Sequence, residues 1–244
     1  MPGLPAVAPG DDLAAMLAAA APPDLRDGDV IAVVHKVVSK AEGRVRRLGE
    51  IEPGERARTL AVEHGKDPRL VQAVLDESAQ LLRAERGVLV CVTRHGFVCA
   101  NAGVDASNTG AGADGELVLL PEDPDRSARE LRAGIAEARG VRPAVVVSDS
   151  FGRAWRMGQT DVALGAAGLQ PLDEWQGRPD AFGRELRVTT IAVADAVAAA
   201  ADLARAKDSA EPAVLVRGLD RYVSAEDGPG ASVLRRPAEQ DIFR

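Results

Sequence analysis

Apolar and polar positions follow two rhythms along this chain, one with the period of helices and one with the uniform run of buried strands. Leu13, Met16 and Leu17 recur at helical spacing behind Asp11 and Asp12, acids that complement the dipole of a first turn, and Pro22-Pro23 closes the segment. Asp27-Gly28-Asp29 then turns the chain into Val30-Ile31-Ala32-Val33-Val34, an apolar, β-branched run of strand length. Residues 37–44 pass from apolar to charged within a few positions, which reads as the end of a buried strand opening onto a polar site. Pro53-Gly54 predicts a helix through about His64 that Gly65 stops. Asp67-Pro68 restarts a helix whose apolar face runs through Leu70, Val71, Val74, Leu75, Ala79 and Leu82.

Strand patterns follow at 88–92 and 97–100, then a loop rich in Gly, Ala, Asp and Asn over 101–116, and a strand at 117–120. Ser127-Ala128-Arg129-Glu130 has the form of a capping box, and Leu131, Ile135 and Ala138 continue its helix. Residues 143–147 form a buried-strand pattern ending in Ser148-Asp149-Ser150-Phe151-Gly152-Arg153. A strand at 187–193, an alanine-rich helix at 194–206 and a strand at 212–216 complete the series. This mixed order predicts α/β or α+β and leaves the strand pairing open. With no internal repeat or long linker, any subdomains are tightly joined.

Composition narrows the function classes. The 244 residues are 46% hydrophobic and 27% charged, long enough to bury a core without disulfides or a structural metal. Thirty Lys and Arg against 37 Asp and Glu give a net charge of −7, the wrong sign for gripping a phosphate backbone, so nucleic acid is not expected as a partner. The apolar run 13–21 is far shorter than the roughly 20 residues that span a bilayer, and it follows acids where a signal peptide has positive charge. These features point to a cytoplasmic enzyme or binding protein with no membrane contact. Cys91 and Cys99 are too few for a zinc site and read as buried, reduced thiols.

Candidate chemistry gathers where apolar runs end: His35-Lys36-Val37-Val38-Ser39-Lys40, Asn101-Ala102-Gly103-Val104-Asp105-Ala106-Ser107-Asn108, and the run from Ser148 to Arg153. Two of the three place an aspartate beside hydroxyl or amide oxygens, the hard ligands that magnesium or manganese prefers, and the first supplies lysines for phosphates. Taken singly, Asp105 or Asp149 also reads as a cap or turn residue and His35 as a satisfied structural histidine. Lys36 and Lys40 likewise read as solvated ends of an amphipathic segment, and Arg44-Val45-Arg46-Arg47 as a solvated turn. Gly110-Ala111-Gly112-Ala113-Asp114-Gly115 has dinucleotide-type glycine spacing but precedes a strand pattern instead of a helix, so it reads as a surface loop.

The strings Asp27-Gly28-Asp29, Val37-Val38-Ser39-Lys40-Ala41-Glu42-Gly43-Arg44, the Asn101 and Ser148 clusters, Arg184-Glu185-Leu186 and Val216-Arg217-Gly218-Leu219 closely resemble the coenzyme F420-0:L-glutamate ligase (F420 γ-glutamyl ligase) family. The resemblance runs in one order from about Gly3 to Asp220. It implies GTP-dependent addition of L-glutamate to coenzyme F420-0 and then of further γ-linked glutamates, with Mg2+ or Mn2+ (two ions) and K+ as cofactors. It also implies an α+β fold of two small interlocked subdomains with antiparallel or mixed sheet, one unit over 1–244, in an intertwined homodimer. Some relatives carry a nitroreductase-like domain as well, so the chain is either free-standing or part of a longer protein.

By motif position, Asp105 and Asp149 would be metal ligands, with Ser150 at a second metal. Asn108, Lys40, His35, Lys36 and the segment Leu4-Pro5-Ala6-Val7 would contact GTP, as would Arg205-Ala206-Lys207-Asp208-Ser209-Ala210-Glu211. The last loop departs from the family pattern: Lys207 falls where relatives place an acidic ligand, so Asp208 or Glu211 would hold that metal, or the lysine would replace part of its charge. His35 stands where some relatives have serine. The chemistry such a site supports is attack of a substrate carboxylate on the γ-phosphate, giving an acyl phosphate that the glutamate amine displaces. Lys40, Arg153 and Arg156 would stabilise the phosphoryl group. A ligase for another carboxylate acceptor, or a degenerate module that binds F420 or GTP without ligating, are the alternatives.

Overall fold

A computed structural model describes residues 1–106, 115–206 and 208–242. In chain order its elements are α1 (Leu13–Ala20), β1 (Val30–Val34), α2 (His35–Ala41), β2 (Val45–Arg47), α3 (Glu55–His64), α4 (Pro68–Asp76), β3 (Ser78–Glu85), β4 (Val88–Thr93), β5 (Val98–Ala100), β6 (Glu116–Val118), α5 (Pro124–Arg139), β7 (Ala144–Arg153), β8 (Arg156–Ala167), β9 (Leu172–Glu174), β10 (Thr190–Ala192), α6 (Val193–Ala204) and β11 (Ala213–Val216). The fold is α+β with mixed and antiparallel sheets, as expected.

The main sheet has the order β11-β1-β7-β8. Its centre is a parallel pair, β1 with β7, flanked by antiparallel neighbours. Both faces of that pair are covered, which is why the sequence shows unbroken apolar runs there instead of alternation. Ile31, Val33, Val145 and Val147 pack with Leu17 of α1 and Ile135 of α5. On the other face, Val30, Ala32, Ala144 and Val146 meet Ala194, Val197 and Ala198 of α6. A second sheet, β3-β4-β5, lies with α3 and α4 over a separate core that includes Ala57, Val71, Val74, Leu89 and Cys91. β2 with β6, and β9 with β10, form two-stranded ribbons.

Two registers in the main sheet position the polar residues at its open end. The β1–β7 pairing ends at Val34 opposite Ser148, so β7 runs on alone on that side through Asp149, Ser150, Phe151, Gly152 and Arg153. In β7–β8 the register shifts between Val147, which faces Gly165, and Ser148, which faces Ala163; Leu164 is the extra residue of a β-bulge.

Several sequence-based expectations need correction. Residues 37–44 do not continue a strand: α2 begins at His35, and its buried positions His35, Val38 and Ser39 have helical spacing. The helix from Pro68 ends at Asp76, and Ala79 and Leu82 belong to β3, because pairing with β4 overrides a helical period that the local window cannot distinguish. α5 is capped by Asp123, which accepts from the Arg126 amide at 3.0 Å, with Pro124 following; Ser127 lies a turn inside and bonds back to the Asp123 carbonyl. The strand predicted at 117–120 is Glu116–Val118, and that predicted at 187–193 is only Thr190–Ala192. The strand from 143 extends to Arg153, and β8 had no sequence signal because its first half is exposed and polar. Among the described residues no helix is long and apolar enough to cross a membrane.

Cys91 and Cys99 are free, buried and directly opposite each other in β4 and β5. Burial raises both thiols, Cys99 to about 12. Neither is therefore a thiolate near neutral pH, and a disulfide reagent should titrate both only after denaturation. Rapid labelling of the folded protein would contradict this packing. Gly165 offers a second check: a Cβ there would lie 2.0 Å from the Pro124 carbonyl oxygen, where the start of α5 crosses β8. Gly165→Ala should lower stability by about 3 kcal/mol in urea unfolding. Gly49→Ala, with no atom within 4 Å of its new Cβ, should leave the midpoint within about 0.5 kcal/mol of wild type.

Candidate active site

The open end of the β1–β7 pair is the floor of a cavity of about 810 Å³. Clefts at the carboxyl ends of parallel strands are common ligand sites because the strands deliver the next residues on a rigid base. Here the residues after Val34 and Ser148 are His35 and Asp149. Leu4, Pro5, Ala6, Val7, Lys36, Lys40, Asp105, Ser150 and the loop residues Arg205, Ala206, Asp208, Ser209, Ala210 and Glu211 also line the cavity. Five distant stretches of sequence thus meet in one place.

His35 is 1% exposed. Its Nδ1 lies 3.4 Å from Ser39 Oγ one turn further along α2. Its Nε2 is 3.3 Å from Asp149 Oδ1, yet makes no hydrogen bond of acceptable geometry and is left buried without a partner. The same Asp149 oxygen accepts from the Ser150 amide at 2.8 Å. Lys36 Nζ sits 2.7 Å from Asp105 Oδ2, and the Asp105 backbone is pinned to Val118 by reciprocal bonds of 3.0 and 2.8 Å. Just before it, Asn101 and Ala102 both have φ of 52°, a left-handed conformation that two successive non-glycine residues adopt only under strain, and Asn101 Oδ1 is buried without a partner.

Asp161 is the site residue that sequence reasoning missed. It is 2% exposed and accepts from Ser148 Oγ at 2.8 Å, from Ser150 Oγ at 2.6 Å, and from Arg205. Its only trace in the sequence is a lone acid between Thr160 and Val162 in a strand that the pattern did not predict. Arg153 and Arg156 stand at the exposed tip of the β7–β8 hairpin, where Arg153 donates to the Met157 carbonyl at 2.9 Å, and neither lines the cavity of the single chain. Asn108, Lys207 and the glycine-spaced stretch 110–114 lie outside the described residues.

The lining carries six described carboxylates, Asp105, Asp149, Asp161, Asp202, Asp208 and Glu211, against three permanent cations, Lys36, Lys40 and Arg205. Such an excess of acid suits a site that takes cations together with a polyanion. Among the described residues no three His, Cys, Asp or Glu side chains form a cluster able to hold a metal ion. Magnesium fits this arrangement nonetheless, since it is commonly bound through one or two carboxylates with water and substrate phosphates completing its shell. Asp149, Ser150 and Asp105 provide that kind of open donor set.

The chain is 45% identical over 241 residues to a protein of Methanopyrus kandleri named coenzyme F420:L-glutamate ligase, covering 98% of this chain and 93% of the relative. A protein of the same name from Methanothermobacter thermautotrophicus is 45% identical over 246 residues, covering 99% and 96% of the two chains. One from Archaeoglobus fulgidus is 43% identical over 243 residues, covering 99% and 94%. The F420-0:Gamma-glutamyl ligase family profile matches residues 3–218, and the chain belongs to that family.

Proposed function

We propose that this chain is a GTP-dependent ligase that joins L-glutamate to coenzyme F420-0 and extends the product by further γ-linked glutamates. The observation that carries this reading is the meeting of the N-terminal segment, the lysines of α2, Asp105, Asp149-Ser150 and residues 205, 206 and 208–211 in one cavity. The names of the close relatives supply the substrate pair.

A carboxylate is a poor electrophile, and ligation begins by making it a better one. The terminal carboxylate of the acceptor attacks the γ-phosphate, GDP leaves, and the glutamate amine then displaces phosphate from the acyl phosphate. Lys36 and Lys40 offer ammonium groups to the phosphate chain, and the N-terminal segment closes one wall against water that would hydrolyse the intermediate. Asp149, Ser150 and Asp105 would hold magnesium or manganese, which supplies neutralisation of phosphoryl charge when bound. His35, seated against Ser39 and facing Asp149, limits the directions in which that carboxylate turns.

The reading extends to a homodimer in the cytoplasm. Trp155 and Met157 at the hairpin tip, with Phe182 and Val188 in the segment after β9, are large apolar side chains standing in water, Phe182 97% exposed. We assign these side chains, with Arg153 and Arg156, to contacts with a second copy.

Incubation with coenzyme F420-0, GTP, glutamate and manganese should give products heavier by one or more glutamates in mass spectrometry. Asp149→Asn should lower that turnover by about 10²-fold or more while retaining the wild-type melting profile. Near-normal ligation by this variant would remove Asp149 from the site, and ligand binding without product in the wild type would favour the non-ligating module. Analytical ultracentrifugation should give twice the chain mass, and Trp155→Lys with Phe182→Lys should shift it to the mass of one chain. An unchanged dimer would place the interface elsewhere.

A further inference from the structure

We propose that Asp161 is a positioning residue that clamps Arg205 as an oxyanion-binding group of the cavity, one that grips a substrate phosphate or carboxylate. The inference deepens the ligase reading and rests on it for the identity of the anion.

Arg205 caps the end of α6 and opens the loop that lines the cavity. Its side chain is 6% exposed, and Nη2 donates to Asp161. Asp202 Oδ1 lies 4.0 Å from that same nitrogen, beyond hydrogen-bond reach. Nη1 is buried and has no partner. A guanidinium presents its donors in a fixed planar fork, so fixing one nitrogen fixes where the other points.

The contrast with Arg132 shows that this is not how the fold treats a structural arginine. Arg132 is fully buried, and Nε, Nη1 and Nη2 all donate, to the carbonyls of Pro143, Arg142, Ser224 and Ala225 and to Asp227 at 2.6 Å. Arg132 lies outside the cavity and is satisfied; Arg205 lines the cavity and keeps one nitrogen unsatisfied. A buried charged donor left unpaired is costly, and an arriving oxyanion removes that cost.

Asp161 does more than neutralise. By accepting from both Ser148 and Ser150 it sets the direction of their hydroxyl protons, so that the lone pairs of Ser150 Oγ point away from the acid. One acid thus orients an anion-binding group at the end of α6 and the hydroxyl of a candidate cation ligand on β7.

Isothermal titration calorimetry without divalent ions, using tripolyphosphate in one arm and L-glutamate in the other, tests the clamp. Arg205→Gln should weaken one of the two anions by about tenfold or more, and Arg205→Lys should recover part of the loss. The arm that responds identifies phosphate or carboxylate as the ligand. Asp161→Asn should weaken the same anion, and the double variant should be no weaker than Arg205→Gln, since the acid acts through the arginine. Multiplied losses in the double variant, unchanged affinities in the single ones, or no binding of either anion by wild type would overturn the proposal. If Asp161→Asn does not fold by circular dichroism, the Gln and Lys variants at 205 decide it. Product mass in the wild-type ligation assay is read separately: glutamate addition with no anion effect at Arg205 overturns only the clamp. An anion effect with no glutamate addition overturns only the ligase.

Discussion

The parallel pairing of β1 with β7 sets Val34 beside Ser148, and that register brings the next residues, His35 and Asp149, together at the floor of the cavity. The two faces of the pair are not interchangeable. One carries Ile31, Val33, Val145 and Val147 beneath α1 and α5, while the other carries the smaller set Val30, Ala32, Ala144 and Val146 beneath the alanines of α6. A slip of one residue would force larger side chains into the thinner layer and leave voids in the thicker one, errors that cost about 1–5 kcal/mol at each affected position. Surface ion pairs contribute only about 0–1 kcal/mol each, so packing holds the register. Once it is held, His35 and Asp149 have nowhere else to be.

The cavity accordingly tolerates local arrangements that folding alone would not select. The strained turn at Asn101 and Ala102, the unpartnered His35 Nε2 and Arg205 Nη1, and the surplus of carboxylates are each unfavourable in an empty site. Rigid strands beneath can hold such arrangements, and the proposed cations and oxyanions would offset the unpaired donors and the excess acid. The bond network of the buried Arg132, by contrast, serves the fold alone.

Elements whose packing is local were readable from the residues. α3 ends at Gly65 in the left-handed conformation that its glycine allows, and α4 starts at Asp67-Pro68 as the cap chemistry dictates. β1 and the first half of β7 announce themselves because burial on both faces demands an apolar run. Where a partner far away in sequence decides, the pattern misleads: Ala79 and Leu82 fit a helix face until β4 is present to pair with them. The site divides in the same way. Lysines and aspartates at the ends of apolar runs are conspicuous, whereas Asp161 becomes meaningful only through its cross-strand neighbour Ser150. Composition and spacing do not specify F420 or GTP; only the resemblance carried by the longer strings implies them.

The extra residue at Leu164 has a consequence for comparing relatives. Facing residues of an antiparallel pair point to the same side, and side chains alternate along each strand. Because of the bulge, Asp161 faces Ser150 and shares its side of the sheet; without it, Val162 would take that place and Asp161 would turn to the opposite side. The acid is therefore defined by the parity of the hairpin as much as by its identity. A homologue of the same length whose hairpin pairs without the bulge would set an aligned aspartate opposite Phe151, the letter without the function, and one of that kind with its acid at 162 would have the function without the letter; a homologue lacking the extra residue would keep its aspartate opposite Ser150 in a regular ladder.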